Sequence, residues 1–175
     1  MRKRREARER ALQFLFQADM NPPSTPAELA AALDHFWNST RMNTVMEGRG
    51  HAALYNEKIE LPPPTAEESA TRVFADELIR GVLEHRPALD ERIKKHAKNW
   101  DLHRMAVVDR NLMRLAIYEM LHRDDIPPIV SINEAVDIAK KFSTEDSGKF
   151  VNGILDQVKA EVLRPARTAK DGNPV

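Results

Sequence analysis

The chain has no cysteine, which excludes disulfides, thiolate metal sites and cysteine nucleophiles together and fits a reducing compartment. Glycine is scarce, with 6 in 175 residues, and none forms a strand-to-helix phosphate loop. There is no excess of either charge: 27 Lys and Arg face 27 Asp and Glu. No global field therefore draws the protein to nucleic acid or membrane, and any attraction must come from local clustering. No apolar run approaches the roughly 20 residues of a membrane span. The basic start followed by Ala11 to Ala18 superficially resembles a secretory leader. Gln13 and Gln17 interrupt it, however, and no small-residue cleavage site follows. The expected location is cytoplasmic, with no membrane partner.

Strand alternation is also missing, whereas Leu, Ile, Val, Met, Phe and Trp recur at helical spacing and charged residues make up 31%. The composition is that of an all-α protein. Its length suits a single domain over 1–164, followed by a polar tail at 165–175.

Helix starts are written in capping boxes, where a hydroxyl accepts from an unpaired backbone N–H and a glutamate one turn later reaches back. Thr25-Pro26-Ala27-Glu28 opens a helix expected to end near Trp37. Thr65-Ala66-Glu67-Glu68, after Pro62, Pro63 and Pro64, opens one through Phe74, Leu78, Val82 and Leu83 that should stop before Pro87. A short helix with Leu89, Ile93 and Trp100 follows, then one over 104–123. Ser131-Ile132-Asn133-Glu134 opens another, and the last runs from Phe150 through Val162 to Pro165. With the N-terminal helix the sum is about seven. Residues 38–64 fit no helix and read as a long loop or insertion, unusual in a compact domain unless it hides a short helix near Leu54 and Tyr55.

Arg2, Lys3, Arg4, Arg5, Arg8 and Arg10 form the densest basic cluster, at the start of an amphipathic helix. Guanidinium forks suit phosphate oxygens and could follow a single-stranded backbone. The plainer account is a solvated helix end, with Glu6 and Glu9 paired to Arg10 and Arg5. On that helix Ala7, Ala11 and Phe14 share one side while Phe16 points nearly opposite. Phe16 lies either at the edge of a partner surface or against a second neighbour, and burial is the simpler reading. Between the last two helices, Ser143 or Thr144 can cap, and Glu145 and Asp146 suit the positive end of a helix dipole. Lys149 and Phe150 share the following turn and offer a cation for phosphate and a ring for an unstacked base. Periodicity alone favours Phe150 in the core. Nothing assembles a catalytic site: there is no triad, and His35, His51, His85, His96, His103 and His122 show no metal-ligand pairing along a helix. No enzyme, cofactor or metal is expected.

Several motifs carry a resemblance. Val108-Asp109-Arg110-Asn111-Leu112-Met113-Arg114-Leu115-Ala116-Ile117-Tyr118-Glu119-Met120, then Ile126-Pro127, Ile132-Asn133-Glu134-Ala135 and Lys149-Phe150-Val151-Asn152-Gly153-Ile154-Leu155-Asp156 are similar in order and spacing to the NusB family. Arg4-Arg5, Ala7-Arg8-Glu9 and Ala11-Leu12-Gln13 match as well, so the similarity covers 4–17 and 66–162. The resemblance implies two three-helix halves and a transcription antitermination factor. Such a factor binds boxA RNA of ribosomal RNA leaders with the ribosomal protein NusE, within the RNA polymerase antitermination complex. It implies phosphate or base contacts for Arg4, Arg5 and Arg8, base stacking for Phe150, and an RNA-side position for Asp146 and Lys149. Phe16 and Asp109 match positions facing NusE. Some family members dimerise over the RNA surface, and the sequence leaves a homodimer open. A helical adapter that binds protein without specific RNA recognition is the alternative. The chain departs from the family at 38–64, which looks longer than usual.

Overall fold

The computed structural model describes residues 2–49, 60–98 and 100–163. Its elements are α1 (Arg2–Met20), α2 (Pro26–Arg49), α3 (Ala66–His96), a 3-10 turn (Leu102–Arg104), α4 (Val107–His122), α5 (Pro128–Phe142) and α6 (Glu145–Leu163). No strand occurs among the described residues, so the all-α expectation holds. The chain divides into two compact units, Met1–Glu77 and Leu78–Val175.

In the first unit α1 buries Ala7, Ala11, Phe14, Leu15 and Ala18. The Phe14 ring meets Phe36 edge-on at 5.6 Å, and Phe36 meets Trp37 the same way at 5.5 Å, the geometry that ring quadrupoles prefer. Helix starts at Thr25 and Thr65 follow the sequence. Glu68 N donates to Thr65 Oγ1 at 3.1 Å and Thr65 N to Glu68 Oε2 at 2.7 Å, a complete reciprocal box. Glu28 N likewise donates to Thr25 Oγ1, while the Glu28 carboxylate reaches one residue further back, to Ser24 N.

α2 does not end near Trp37. It continues to Arg49, so 38–49 is helix where the sequence suggested loop; residues 50–59, with Leu54 and Tyr55, lie outside the described residues. Side chains hold the extension. Trp37 Nε1 donates to Asp76 Oδ1 at 2.8 Å, and Arg41 donates to the Pro62 carbonyl. Thr40 and Thr44 hydroxyls turn back onto the carbonyls of Phe36 and Thr40, which satisfies polar groups that otherwise compete with a helix.

The second correction is at Pro87, which lies inside α3. Leu78, Val82, Leu89 and Ile93 keep to one buried stripe on both sides of it, each 1% exposed or less. Proline inside a helix costs about 3 kcal/mol. Burying Leu89 and Ile93 returns roughly 1.5–3 kcal/mol each, so packing wins and two expected helices fuse into one.

In the second unit α5 packs on α6 and α4, enclosing Leu112, Met113, Ile117, Ile132, Ile138 and Leu155. α5 starts at Pro128, not at Ser131. Ser131 is buried and donates to Glu119 Oε2 at 2.5 Å, so its hydroxyl ties α5 to α4 rather than capping. A second buried polar group, Arg114, forks onto Asp90 at 2.6 and 3.0 Å and donates to Asn111 at 3.0 Å, a bidentate geometry that suits a desolvated pair.

Candidate nucleic-acid interface

Both surfaces singled out in the sequence sit within the first two turns of helices, one in each unit. On α1, Arg2, Lys3 and Arg4 are exposed, Arg5 is half-buried and Arg8 is buried. The Arg4 and Arg8 guanidinium carbons lie 5.2 and 5.5 Å from the Phe74 ring centre. Arg8 is thus held against an aromatic face by a cation–π contact, whereas Arg2, Lys3 and Arg4 offer charge to solvent. Lys3 pairs with Glu67 at 3.1 Å, both side chains largely exposed, a contact too solvated to hold the lysine from a stronger anion.

Phe16, on the same helix, is 41% exposed. Its ring is therefore not buried, against the simpler of its two readings. Beside α1 and α2 a cleft of about 520 Å³ is lined by Glu6, Arg10, Arg41, Glu67, Glu68 and Arg72 among others. Its acids and arginines balance. Arg72 is committed to Asp34 and Asp76, and its guanidinium is pushed above its usual value chiefly by the bond to Asp34.

On the second unit, Thr144 caps α6 by accepting from Ser147 N at 3.0 Å. Glu145 and Asp146 occupy the first turn, and Asp146 and Lys149 are exposed. Phe150 is not in the core. It is half-buried, and its ring lies 5.9 Å from that of Trp100 at 50°. Periodicity placed Phe150 inward because Val151, Ile154, Leu155 and Val158 form the buried stripe and Phe150 flanks it. Trp100, read as part of a helical face, stands after α3 and is 58% exposed. Sequence reasoning missed it as a surface residue; only the polar company of Lys98, Asn99 and Asp101 could have signalled it.

Asp109, in the first turn of α4, is buried at 6% exposure with Oδ1 lacking a hydrogen-bond partner. Burial raises its pKa, opposed by a hydrogen bond from Ser147. A partner would therefore meet its surroundings before meeting the carboxylate. Among the described residues no cluster could hold a metal ion, and no helix is long and apolar enough to cross a membrane.

Helices without strands among the described residues, a cationic helix start on one unit, and an exposed Trp100 and half-buried Phe150 near a lysine on the other define a helical binding protein. The chain belongs to the NusB family, whose model matches residues 5–160. It is 39% identical to the transcription antitermination protein NusB of Bacillus subtilis, over 91% of this chain and 97% of that one. It is 43% identical to that of Desulfitobacterium hafniense, over 96% and 95%. Among solved structures it is similar to NusB of T. maritima, at TM-score 0.63, 32% identity and 90% and 91% coverage. It shares its fold with one chain of the crystal structure of antitermination factors NusB and NusE in complex with dsRNA, at TM-score 0.64, 24% identity and 92% and 98% coverage.

Proposed function

We propose that this protein is a transcription antitermination factor of the bacterial cytoplasm, without catalytic activity of its own. It binds single-stranded boxA RNA of ribosomal RNA leaders together with NusE and so keeps RNA polymerase elongating. Family membership supports the class of activity. The observation that carries RNA as the ligand is the exposed Arg2, Lys3 and Arg4 at the start of α1 in a chain of zero net charge. Arg4 and Arg5 contact phosphates, with Arg8 behind them against Phe74; Lys149 adds a cation and Phe150 a stacking face, with Asp146 alongside. Phe16 meets NusE as an exposed ring, a common anchor of protein interfaces, and Asp109 braces the start of α4 beside that partner.

The test is binding of a boxA-like RNA and a scrambled control, with and without NusE, at two salt concentrations. Preference for boxA that strengthens with NusE is expected. Equal weak binding to both RNAs, indifferent to NusE, would reduce the arginines to generic electrostatics, and retained NusE binding without RNA preference would favour a purely protein-binding adapter.

A further inference from the structure

The Trp100 indole is an outlier. Large apolar rings are normally buried, and the chain's other tryptophan, Trp37, is 6% exposed while Trp100 is 58% exposed. Its backbone is anchored: Trp100 N donates to the Ala97 carbonyl at 3.0 Å, and the neighbouring Asp101 accepts from His103 N at 3.0 Å. A fixed backbone thus presents the ring beside Phe150, at 5.9 Å between centres.

One turn along α6 from Phe150 lies Gly153. It is exposed, inside the helix, and a side chain added there would meet nothing within 4 Å. Glycine inside a helix is about 1 kcal/mol worse than alanine. No packing contact explains it, and close approach of a ligand to the backbone is one role that favours a glycine. Exposed Lys98 and Lys149 lie within two residues of the rings, with Asp101 and Asp146 also exposed nearby; the surface is polar and of mixed charge, with cations available to phosphate and acids available to base amines.

We infer that Trp100, Phe150 and the bare backbone at Gly153 form one platform for two unstacked bases of single-stranded RNA. Trp100 and Gly153 are the additional contact residues, and the inference rests on the RNA-binding reading above. Bases stack on aromatic faces irrespective of charge. The platform therefore contributes affinity that salt does not screen, unlike the arginines of α1.

The experiment titrates the full chain with boxA-like RNA, following tryptophan fluorescence and, separately, RNA anisotropy. Trp100→Ala is expected to weaken binding roughly 5- to 150-fold, the worth of stacking one base, with an unchanged salt slope; Trp100→Phe recovers most of the loss. Gly153→Leu weakens binding while melting no lower than the wild type. RNA quenches the wild-type tryptophan emission. If the wild type binds boxA while Trp100→Ala and Gly153→Leu bind equally well, or emission does not change, the platform is refuted and the RNA reading stands. If the wild type binds no RNA, both fall.

Discussion

Substitution of Arg8 by alanine separates two jobs that an arginine at the start of α1 can have. Arg8 is 5% exposed and its guanidinium carbon lies 5.5 Å from the Phe74 ring centre. A desolvated cation–π contact is worth about 2 kcal/mol, and the buried stem adds packing. Arg8→Ala is therefore expected to cost about 2 kcal/mol, which lowers the melting temperature of a chain this size by roughly 4–8 °C. Arg4, also over Phe74 but exposed, behaves in the opposite way. Arg4→Ala leaves melting nearly unchanged but removes one phosphate contact, which reduces the slope of log affinity against log salt by about 0.7 on single strands. Across a fourfold change in salt that is a relative effect of about 2.6-fold. Melting followed by circular dichroism and RNA affinity measured at two salt concentrations give all four numbers. An Arg8→Ala variant that melts normally and loses about 0.7 of salt slope would refute the assignment, because its guanidinium would then have left Phe74 for a phosphate.

Asp146→Asn is expected to strengthen RNA binding by up to about fivefold at low salt, since an exposed carboxylate near phosphates costs on the order of 1 kcal/mol; weaker binding in the same titration would rank its acceptance of base amines above the repulsion. Two of the helical glycines, Gly153 and Gly81, should respond with opposite signs in urea unfolding. Gly153→Ala gains about 0.5–1 kcal/mol of helix propensity. Gly81→Ala loses about 1 kcal/mol net, because its new methyl would overlap the Tyr118 ring, which packs on His85 and His122; a stabilised Gly81→Ala would sink that account. Asp109 has its carboxyl pKa raised by burial. Its charged form therefore weighs against the fold, with the favourable protonated contribution present below the ordinary carboxylate value and lost as pH rises through the raised one. Asp109→Asn is expected to be more stable than the wild type at neutral pH, with the gap closing on acidification; a gap that widens towards acid would contradict it.

Much of the fold was legible because local signals and tertiary demands agreed. Thr25 and Thr65 cap as their neighbours dictate, and the opposed directions of Phe14 and Phe16 follow from helix geometry alone. The misreadings arose where one local signal was outweighed by contacts distant in sequence. Pro87 reads as a stop, yet Leu89 and Ile93 extend a buried stripe that only a continuous helix can complete. Asn38 through Thr44 is poor helix material in isolation, but Trp37 reaches Asp76 and Arg41 reaches Pro62. Ser131 has the spacing of a cap, but the partner of its hydroxyl is Glu119 on the preceding helix. At the candidate interface the arginines and the Lys149-Phe150 pair were legible as chemistry. The burial of Arg8 depended on Phe74, and the exposure of Trp100 on where α3 ends, neither of which has a signature in the residues themselves.

The Glu119–Ser131 bond has a consequence for how these positions can vary over evolutionary time. Glu119 is 1% and Ser131 2% exposed, so losing the serine hydroxyl leaves a buried carboxylate short of a donor, and losing the carboxylate strands the hydroxyl. Either single step is costly, and each makes a compensating change at the other position favourable. The two positions form one unit of inheritance, twelve residues apart in sequence, and lineages that depart from this pair are expected to have changed both.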